Sequence, residues 1–282
     1  MSVTRIRKYI YILSLIIMIP GIVSLCTRGL NLGIDFTGGS LLHVRFENKV
    51  KVEQVRDVLD DYNIGRGLPI QQAGNNEFII RTRDLSQEES NQLMKGFRSE
   101  IGKMEILRNE KVGPVIGKEL TNKALMAVGI ACLLMLLYIT IRFEFKFGVG
   151  AVIALIHDVV IVLGLFSLFQ WEVDSVFVAA ILTILGYSIN DTIVVFDRIR
   201  ENLKLKRKES YDVIVDKSIL QTLNRSINTV LTVLFCLVAL LVLGGATIKT
   251  FVVAMLIGVI FGCYSSIFVA SPIWYDLKIR EN

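Results

Sequence analysis

The sequence predicts a polytopic α-helical membrane protein with six transmembrane helices and one α+β domain outside the membrane. Three observations support this fold class. Hydrophobic residues form 53% of the 282-residue chain, more than the usual share in a soluble globular protein. They are gathered into runs of about 20 residues, the length that a helix needs to cross a bilayer. Between the first two runs lies a long mixed stretch in which strand and helix patterns alternate.

The apolar runs divide the chain into three parts. We expect the first transmembrane helix within residues 1–26, an extracytoplasmic domain in 27–122, and a five-helix bundle in 123–282. Three of the runs contain no charged residue, and the other three carry isolated ionisable side chains. The six runs are 9–26, 124–141, 147–169, 175–196, 219–243 and 251–275.

The short loops carry a charge asymmetry that predicts the orientation. Lys and Arg cluster before the first run, after the sixth, and in two of the loops, whereas the two loops on the other side hold Glu172, Asp174 and a single Lys249. Since positive loops stay in the cytoplasm, both termini are expected there. A basic cytoplasmic loop is expected near 198–217, either with a short surface helix or as a solvated connector. The basic start resembles a secretory signal, but no small-residue cleavage site follows, so we expect the first run to stay as a helix.

The stretch between the first two runs has the pattern of a small folded domain. A Ser86–Glu89 capping box begins the second of its two helix patterns, and a turn signal at 74–76 separates its second and third strands. The order of elements is βαββαβ, which is that of the ferredoxin-like fold. The strand patterns are at 40–46, 71–73, 77–82 and 104–112.

Asp191 and Arg225 are predicted to lie at the same depth in the membrane. Asp191 precedes Asp197, at the cytoplasmic end of the fourth run, by two turns of helix or less, which places it about 9 Å inside at 1.5 Å per residue. The fifth run enters from the same side, and Arg225 is then on the order of 10 Å inside. Because consecutive helices are usually neighbours, the two charges can pair.

Polar side chains accompany this pair on both helices, at helical spacing. Two interpretations stay open. The pair is either a static ion pair that joins two helices, or a proton-responsive switch in which protonation of Asp191 releases Arg225. The stripe on the fifth run is Gln221, Arg225, Asn228 and Thr232, and that on the fourth is Thr183, Tyr187 and Asp191, flanked by Ser188 and Asn190.

A second polar pair, His157 and Asp158, lies near the middle of the third run. It is expected to be either a proton relay or a hydrogen bond between helices. A metal site is not expected, because the only other histidine, His43, belongs to the outer domain. The sequence also lacks a phosphate-binding loop and the hydrolase motifs, so neither enzymatic activity nor a cofactor is expected.

Several short motifs resemble those of one known family. The outer domain begins with Gly-Ile-Asp-Phe-Thr-Gly-Gly, the third run carries Ala-Leu-Ile-His-Asp, and the fourth carries the highly specific Gly-Tyr-Ser-Ile-Asn-Asp-Thr. Together they resemble the SecD/SecF family of protein-export membrane proteins, of the resistance-nodulation-division superfamily. The glycine motifs contain Asp35, Gly38 and Gly39 before the domain, and Gly113, Pro114 and Gly117 after it.

The resemblance implies an auxiliary subunit of the Sec translocase in the bacterial inner membrane. Such a subunit works with SecD beside the SecYEG channel, with YajC and YidC as further partners. It uses the proton-motive force to promote late translocation of unfolded secretory polypeptides, and no nucleic acid is involved. The family's proton-linked pair matches Asp191 and Arg225, and SecD supplies a further carboxylate. Asp35 and the paired glycines are expected to shape the base of the outer domain.

Two other functions are compatible with the residues. One is a half-transporter of the same superfamily that moves a lipid or small molecule, and the other is a structural scaffold of the translocon. The first shares a titrating Asp191 with the export function, whereas the scaffold does not require one. The small outer domain favours export over a drug-binding transporter.

Overall fold

The computed structural model describes residues 2–62, 64, 70–74, 76–205 and 209–280. Contacts divide the chain into an outer unit, Leu32–Ala124, and a membrane unit formed by the segments before and after it. In chain order the elements are α1 (Val3–Thr27), β1 (Asn31–Leu32), α2 (Ile34–Thr37), β2 (Gly39–Phe46), α3 (Val52–Asp61), β3 (Ile70–Gln72), β4 (Glu77–Thr82), α4 (Gln87–Glu100), β5 (Met104–Val112), α5 (Pro114–Arg142), α6 (Phe145–Phe169), β6 (Glu172–Val173), α7 (Ser175–Leu205), α8 (Tyr211–Leu243), α9 (Ala246–Ser265), a π-helical turn (Ser266–Ala270) and α10 (Ser271–Ile279).

Among the described residues, six helical spans are long and apolar enough to cross a membrane, which confirms the predicted fold class. They are α1, α5, α6, α7, α8 and the continuous span from α9 to α10. Helices α7 and α8 extend beyond the apolar runs, to Leu205 and from Tyr211. The amide of Asn202 donates to Ser218 and Gln221, both at 2.8 Å, and so holds these charged helix ends together.

The predicted basic loop near 198–217 is therefore mostly helix. In the part of the chain that the structure describes, no separate surface helix lies between Leu205 and Tyr211. Residues 206–208, which contribute to the predicted charge of this loop, lie outside the described residues, as does Asn75 of the predicted turn at 74–76.

Glycines allow close approaches between membrane helices. A Cβ on Gly21 of α1 would lie 2.7 Å from the Cα of Gly164 in α6, so these two backbones touch directly. In α9, Gly258 lies against the side chain of Ile184, and a Cβ on Gly262 would lie 3.1 Å from the Cβ of Ser188. The Gly258–Gly262 pair thus packs α9 against α7, as a Gly-x-x-x-Gly motif does.

The outer unit is a four-stranded antiparallel sheet in the order β3-β4-β2-β5, covered by α3 and α4. Its elements follow one another as βαββαβ, the predicted order. The capping box forms: Ser86 Oγ accepts from the Glu89 amide at 3.2 Å, and Glu89 accepts from the Ser86 amide at 2.8 Å. The core is apolar, and the ring of Phe46 contacts the rings of Phe78 and Phe97 within it.

Candidate functional site

A small cavity lies between α7, α8 and α9 in the membrane unit. Its volume is about 80 Å³, which is enough for water. Its wall combines an acid, a base, an amide and hydroxyl groups with apolar side chains. The lining residues are Tyr187, Asn190, Asp191 and Val194 of α7, Arg225, Thr229 and Val230 of α8, and Gly262 and Cys263 of α9.

Asp191 has one satisfied and one free carboxylate oxygen. Oδ1 accepts a hydrogen bond from Ser226 Oγ at 2.5 Å. Oδ2 is buried and has no hydrogen-bond partner among the described residues. An ionised carboxylate in low dielectric needs compensation at both oxygens. The free oxygen is therefore the point at which a proton, a water or a cationic group can bind.

Arg225 lines the same cavity but does not contact Asp191. In the part of the chain that the structure describes, every nitrogen of Arg225 is more than 4.0 Å from the carboxylate oxygens of Asp191, so the two residues form no ion pair. The predicted depth match brings both residues to one cavity, but the residue that bonds Asp191 is the next one, Ser226. Since successive residues on a helix are about 100° apart, Arg225 lies at the edge of the cavity with its side chain exposed.

The predicted stripe on α8 does not face α7 along its length. Only Gln221 bonds across to α7, where it accepts from Arg198 at 2.7 Å. Arg225, Asn228 and Thr232 are exposed on the surface of this chain, as is Asn190 of α7. We call Asn190, Arg225, Asn228 and Thr232 the exposed polar strip. Polar groups at membrane depth are costly against lipid, so such a strip requires water or another protein surface.

The buried pair on α6 forms a cluster with α7 and α9. Asp158 is 0% exposed, and its Oδ2 accepts from Ser188 Oγ at 2.6 Å and from Ser265 Oγ at 2.7 Å. Its Oδ1 lies 3.0 Å from His157 Nδ1. Ser188, predicted to flank the stripe of α7, points instead at this cluster. Asp158 thereby connects three helices directly behind the cavity.

Three hydroxyl residues of these sites are not predicted from the sequence: Ser226, Ser265 and Ser266. Ser226 has a sequence signal, because Ser218, Thr222 and Ser226 recur at four-residue spacing and all three are buried on one face of α8. Ser266 begins the π-helical turn, bonds Thr192 Oγ1 at 2.9 Å and donates to the Ser188 carbonyl at 3.4 Å. Turns of this kind often mark functional sites.

The two glycine motifs meet in the outer unit. A Cβ on Gly38 would lie 2.9 Å from Pro114 Cα, and one on Gly117 would lie 2.8 Å from the carbonyl oxygen of Phe36. Gly38 also has a φ of +74°, a backbone conformation that residues other than glycine rarely adopt. The motifs are thus one close-packed junction. Asp35, in the short helix α2, lies within it.

Comparison with protein families gives two matches. The family described as "Protein export membrane protein SecD/SecF, C-terminal" matches residues 92–280, and the "SecD/SecF GG Motif" matches residues 23–50. "Protein translocase subunit SecF" of Sebaldella termitidis is 40% identical, over 99% of this chain and 92% of the relative. That of Acidaminococcus fermentans is 45% identical, over 97% of this chain and 96% of the relative.

Two solved structures share the fold. The crystal structure of SecDF, a translocon-associated membrane protein from Thermus thermophilus, matches with a TM-score of 0.93 and 40% identity over 99% of this chain. SecDF in a "Super-membrane-facing form" matches with a TM-score of 0.74, also at 40% identity, over 100% of this chain. The chain spans 39% of the SecDF polypeptide in both cases.

Proposed function

The chain belongs to the SecD/SecF family of protein-export membrane proteins, and we propose that it uses the proton-motive force, together with SecD, to promote the late translocation of secreted proteins. The observation that carries this proposal is the free oxygen of Asp191, buried beside a cavity that Arg225 also lines. A carboxylate placed in this way can change its charge, and a mobile cation at the same cavity can respond.

The proposed switch has two states. When Asp191 is ionised, its free oxygen attracts the Arg225 guanidinium into the cavity, and α8 turns toward α7. When Asp191 is protonated, the carboxyl needs only Ser226 and a water, and Arg225 returns to the surface of α8. One charge that crosses 100 mV supplies about 2.3 kcal/mol, enough to shift such an equilibrium roughly fifty-fold.

SecD is the proposed partner for the exposed polar strip. The matching solved structures are of SecDF, in which this chain corresponds to one part of a longer polypeptide. A SecD surface with a further carboxylate would compensate Arg225 and shield Asn228 and Thr232 from lipid. The wider assembly is then SecYEG, with YajC and YidC. The proposed substrates are unfolded secretory chains. The proton-motive force supplies the energy, and no cofactor is expected. The membrane is the bacterial inner membrane, with both termini of this chain in the cytoplasm.

Inverted membrane vesicles that contain this chain, SecD and the SecYEG channel test the proposal. We expect Asp191→Asn to lower the part of export that depends on the proton gradient by about tenfold or more, because an amide side chain does not gain or lose a proton near neutral pH. Asp197→Asn is the matched control. Asp197 is the same residue type on the same helix, bonds Arg200 at 3.0 Å near the surface, and should keep export within about twofold of wild type.

The outcomes separate the competing functions. Full gradient-dependent export in Asp191→Asn would overturn proton coupling through this residue and favour a static scaffold. Loss of proton uptake with unchanged export would favour a half-transporter. Insertion and co-purification with SecD should be normal in both variants, since neither residue is in the apolar core of the helix contacts.

A further inference from the structure

The cluster around Asp158 contains more buried charge than a structural contact requires. Asp158 is fully buried, and His157 is 5% exposed. Apart from His157, no charged side chain in the described part of the chain bonds Asp158. A hydrogen bond between helices could be made by Asn or Ser alone. The presence of a carboxylate at this position, rather than a neutral side chain, therefore requires a functional explanation.

Counting protons shows what this cluster can hold. Both serines donate to Oδ2, so the contact between Oδ1 and His157 Nδ1 has room for one proton. If the histidine is neutral and the carboxylate ionised, the cluster has a net charge of −1 in a fully buried place, which is costly. One additional proton makes it neutral. His157 Nε2, which is buried and has no hydrogen-bond partner among the described residues, is the atom left to receive it.

The transfer can be written without another reactant. A hydrated proton, H₃O⁺, gives its proton to Nε2 and becomes water, and the proton on Nδ1 passes to Oδ1 of Asp158. The imidazole is then still neutral, the carboxyl is protonated, and the cluster has gained one proton. Release runs in the opposite direction. The ring of Tyr264 stacks on His157 at 5.9 Å, and its hydroxyl bonds Ser14 of α1 at 3.0 Å, so side chains of α1 and α9 enclose the histidine.

The neighbouring helices place this cluster next to Asp191 but not in contact with it. Ser188, bonded to Asp158, is one turn before Asp191 and Thr192 on α7. Its carbonyl accepts from the Ser266 hydroxyl, which also bonds Thr192. The helices packed against α6 carry titratable side chains of their own, among them Tyr11 of α1, Tyr187 and Asp191 of α7, and Cys263 and Tyr264 of α9.

We propose that His157 and Asp158 form a second proton-exchanging centre, which gains and loses a proton in the same transport cycle as Asp191. This inference rests on the proposed function. Loss of the proton at Asp158 strengthens the hydrogen bonds that it accepts from Ser188 and Ser265, because they become charge-assisted. The change pulls on the turn of α7 that carries Asp191 and on the start of the π-helical turn.

The chain offers a direct measurement, because it contains only two histidines, His43 and His157. The full-length protein, labelled with ¹⁵N-histidine and placed in lipid, should show His157 ring nitrogens that change tautomer or protonation between about pH 5 and pH 9. His43→Gln assigns the two sets of signals. Ring signals of His157 that stay constant over this range in the wild-type protein would overturn the inference, and this measurement needs no substitution in the cluster.

Asp158→Asn separates proton exchange from simple packing. The amide keeps the shape, its oxygen accepts from both serines, and its NH₂ group donates to His157 Nδ1. The three contacts of the cluster keep their partners, and the exchangeable proton of the carboxyl is lost. We expect this variant to insert and bind SecD normally, to hold His157 in a single tautomer, and to lower gradient-dependent export by about tenfold.

The two proposals fail in different ways. If Asp158→Asn exports like the wild type while Asp191→Asn does not, the second centre is wrong and the proposed function stands. If Asp191→Asn also exports normally, the proposed proton-driven function is wrong. The inference that the His157–Asp158 centre works in the same transport cycle as Asp191 is then wrong as well. If Asp158→Asn does not fold, the histidine spectrum of the wild type decides.

Discussion

The contact between Gly21 and Gly164 allows a quantitative prediction for the membrane unit. In Gly164→Ala the new Cβ would lie 2.8 Å from the Cα of Gly21. Ordinary carbon contacts are about 3.5–4.0 Å, so α1 has to move away from α6 by about 1 Å. Both sides of the contact are backbone, so no side chain can rotate to relieve it. We expect the free energy of unfolding to fall by about 1–3 kcal/mol, as in other overpacked interiors.

Denaturation of the full chain in mixed micelles measures this effect. Gly129→Ala is the control, because it makes the same change in helix α5, where a Cβ would meet nothing within 4 Å. It should cost nothing and could gain up to about 1 kcal/mol from helix propensity. The displaced α1 should also loosen the Ser24–Ser167 hydrogen bond, now 2.8 Å. Equal stability of the two variants would refute the reasoning.

Two further predictions concern the outer unit. Arg83 donates to Glu89 and holds the pKa of Glu89 at about 2. The pKa of this group in the unfolded chain is about 4.3. The stabilisation of the folded outer unit by this pair is therefore complete above about pH 4.3 and is lost as the pH falls toward 2. Glu89→Gln should flatten this dependence, as followed by amide exchange in the first turn of α4, and an unchanged acid profile would contradict it. In Gly39→Ala, a φ of +124° and a Cβ only 2.5 Å from the Thr82 carbonyl oxygen should destabilise the outer unit by about 1–3 kcal/mol. Gly29→Ala is the control outside this unit: at a φ of +69° with nothing within 4 Å it should cost less, and protease resistance of the two variants compares them.

The six spans can be predicted from the sequence because lipid imposes a simple rule of length and hydrophobicity. The helix ends follow no such rule. Helix α7 continues through a charged segment to Leu205, and α8 begins in a charged segment at Tyr211. Hydrogen bonds of Asn202, rather than lipid, hold these two ends. Positions that depend on contacts between helices are accordingly the hardest to predict from the sequence.

The same distinction applies to the candidate site. The depth of Asp191 and Arg225 follows from the fixed rise of a helix, and both residues do line one cavity. The rotation of each helix does not follow from its sequence, which is why Ser226 takes the bond predicted for Arg225. Ser265 and Ser266 are not predicted from the sequence, because a serine in an apolar helix cannot be distinguished from a small packing residue. The π-helical turn changes the register there as well.

The exposed polar strip has a consequence for the turnover of the protein in the cell. A newly inserted copy with nothing over Arg225 and Asn228 presents a cation and an amide to the acyl chains. Such a surface recruits water and thins the bilayer locally, and it makes the orphan subunit easy for membrane proteases to distinguish from an assembled one. The abundance of this chain should then follow the supply of the protein that covers the strip.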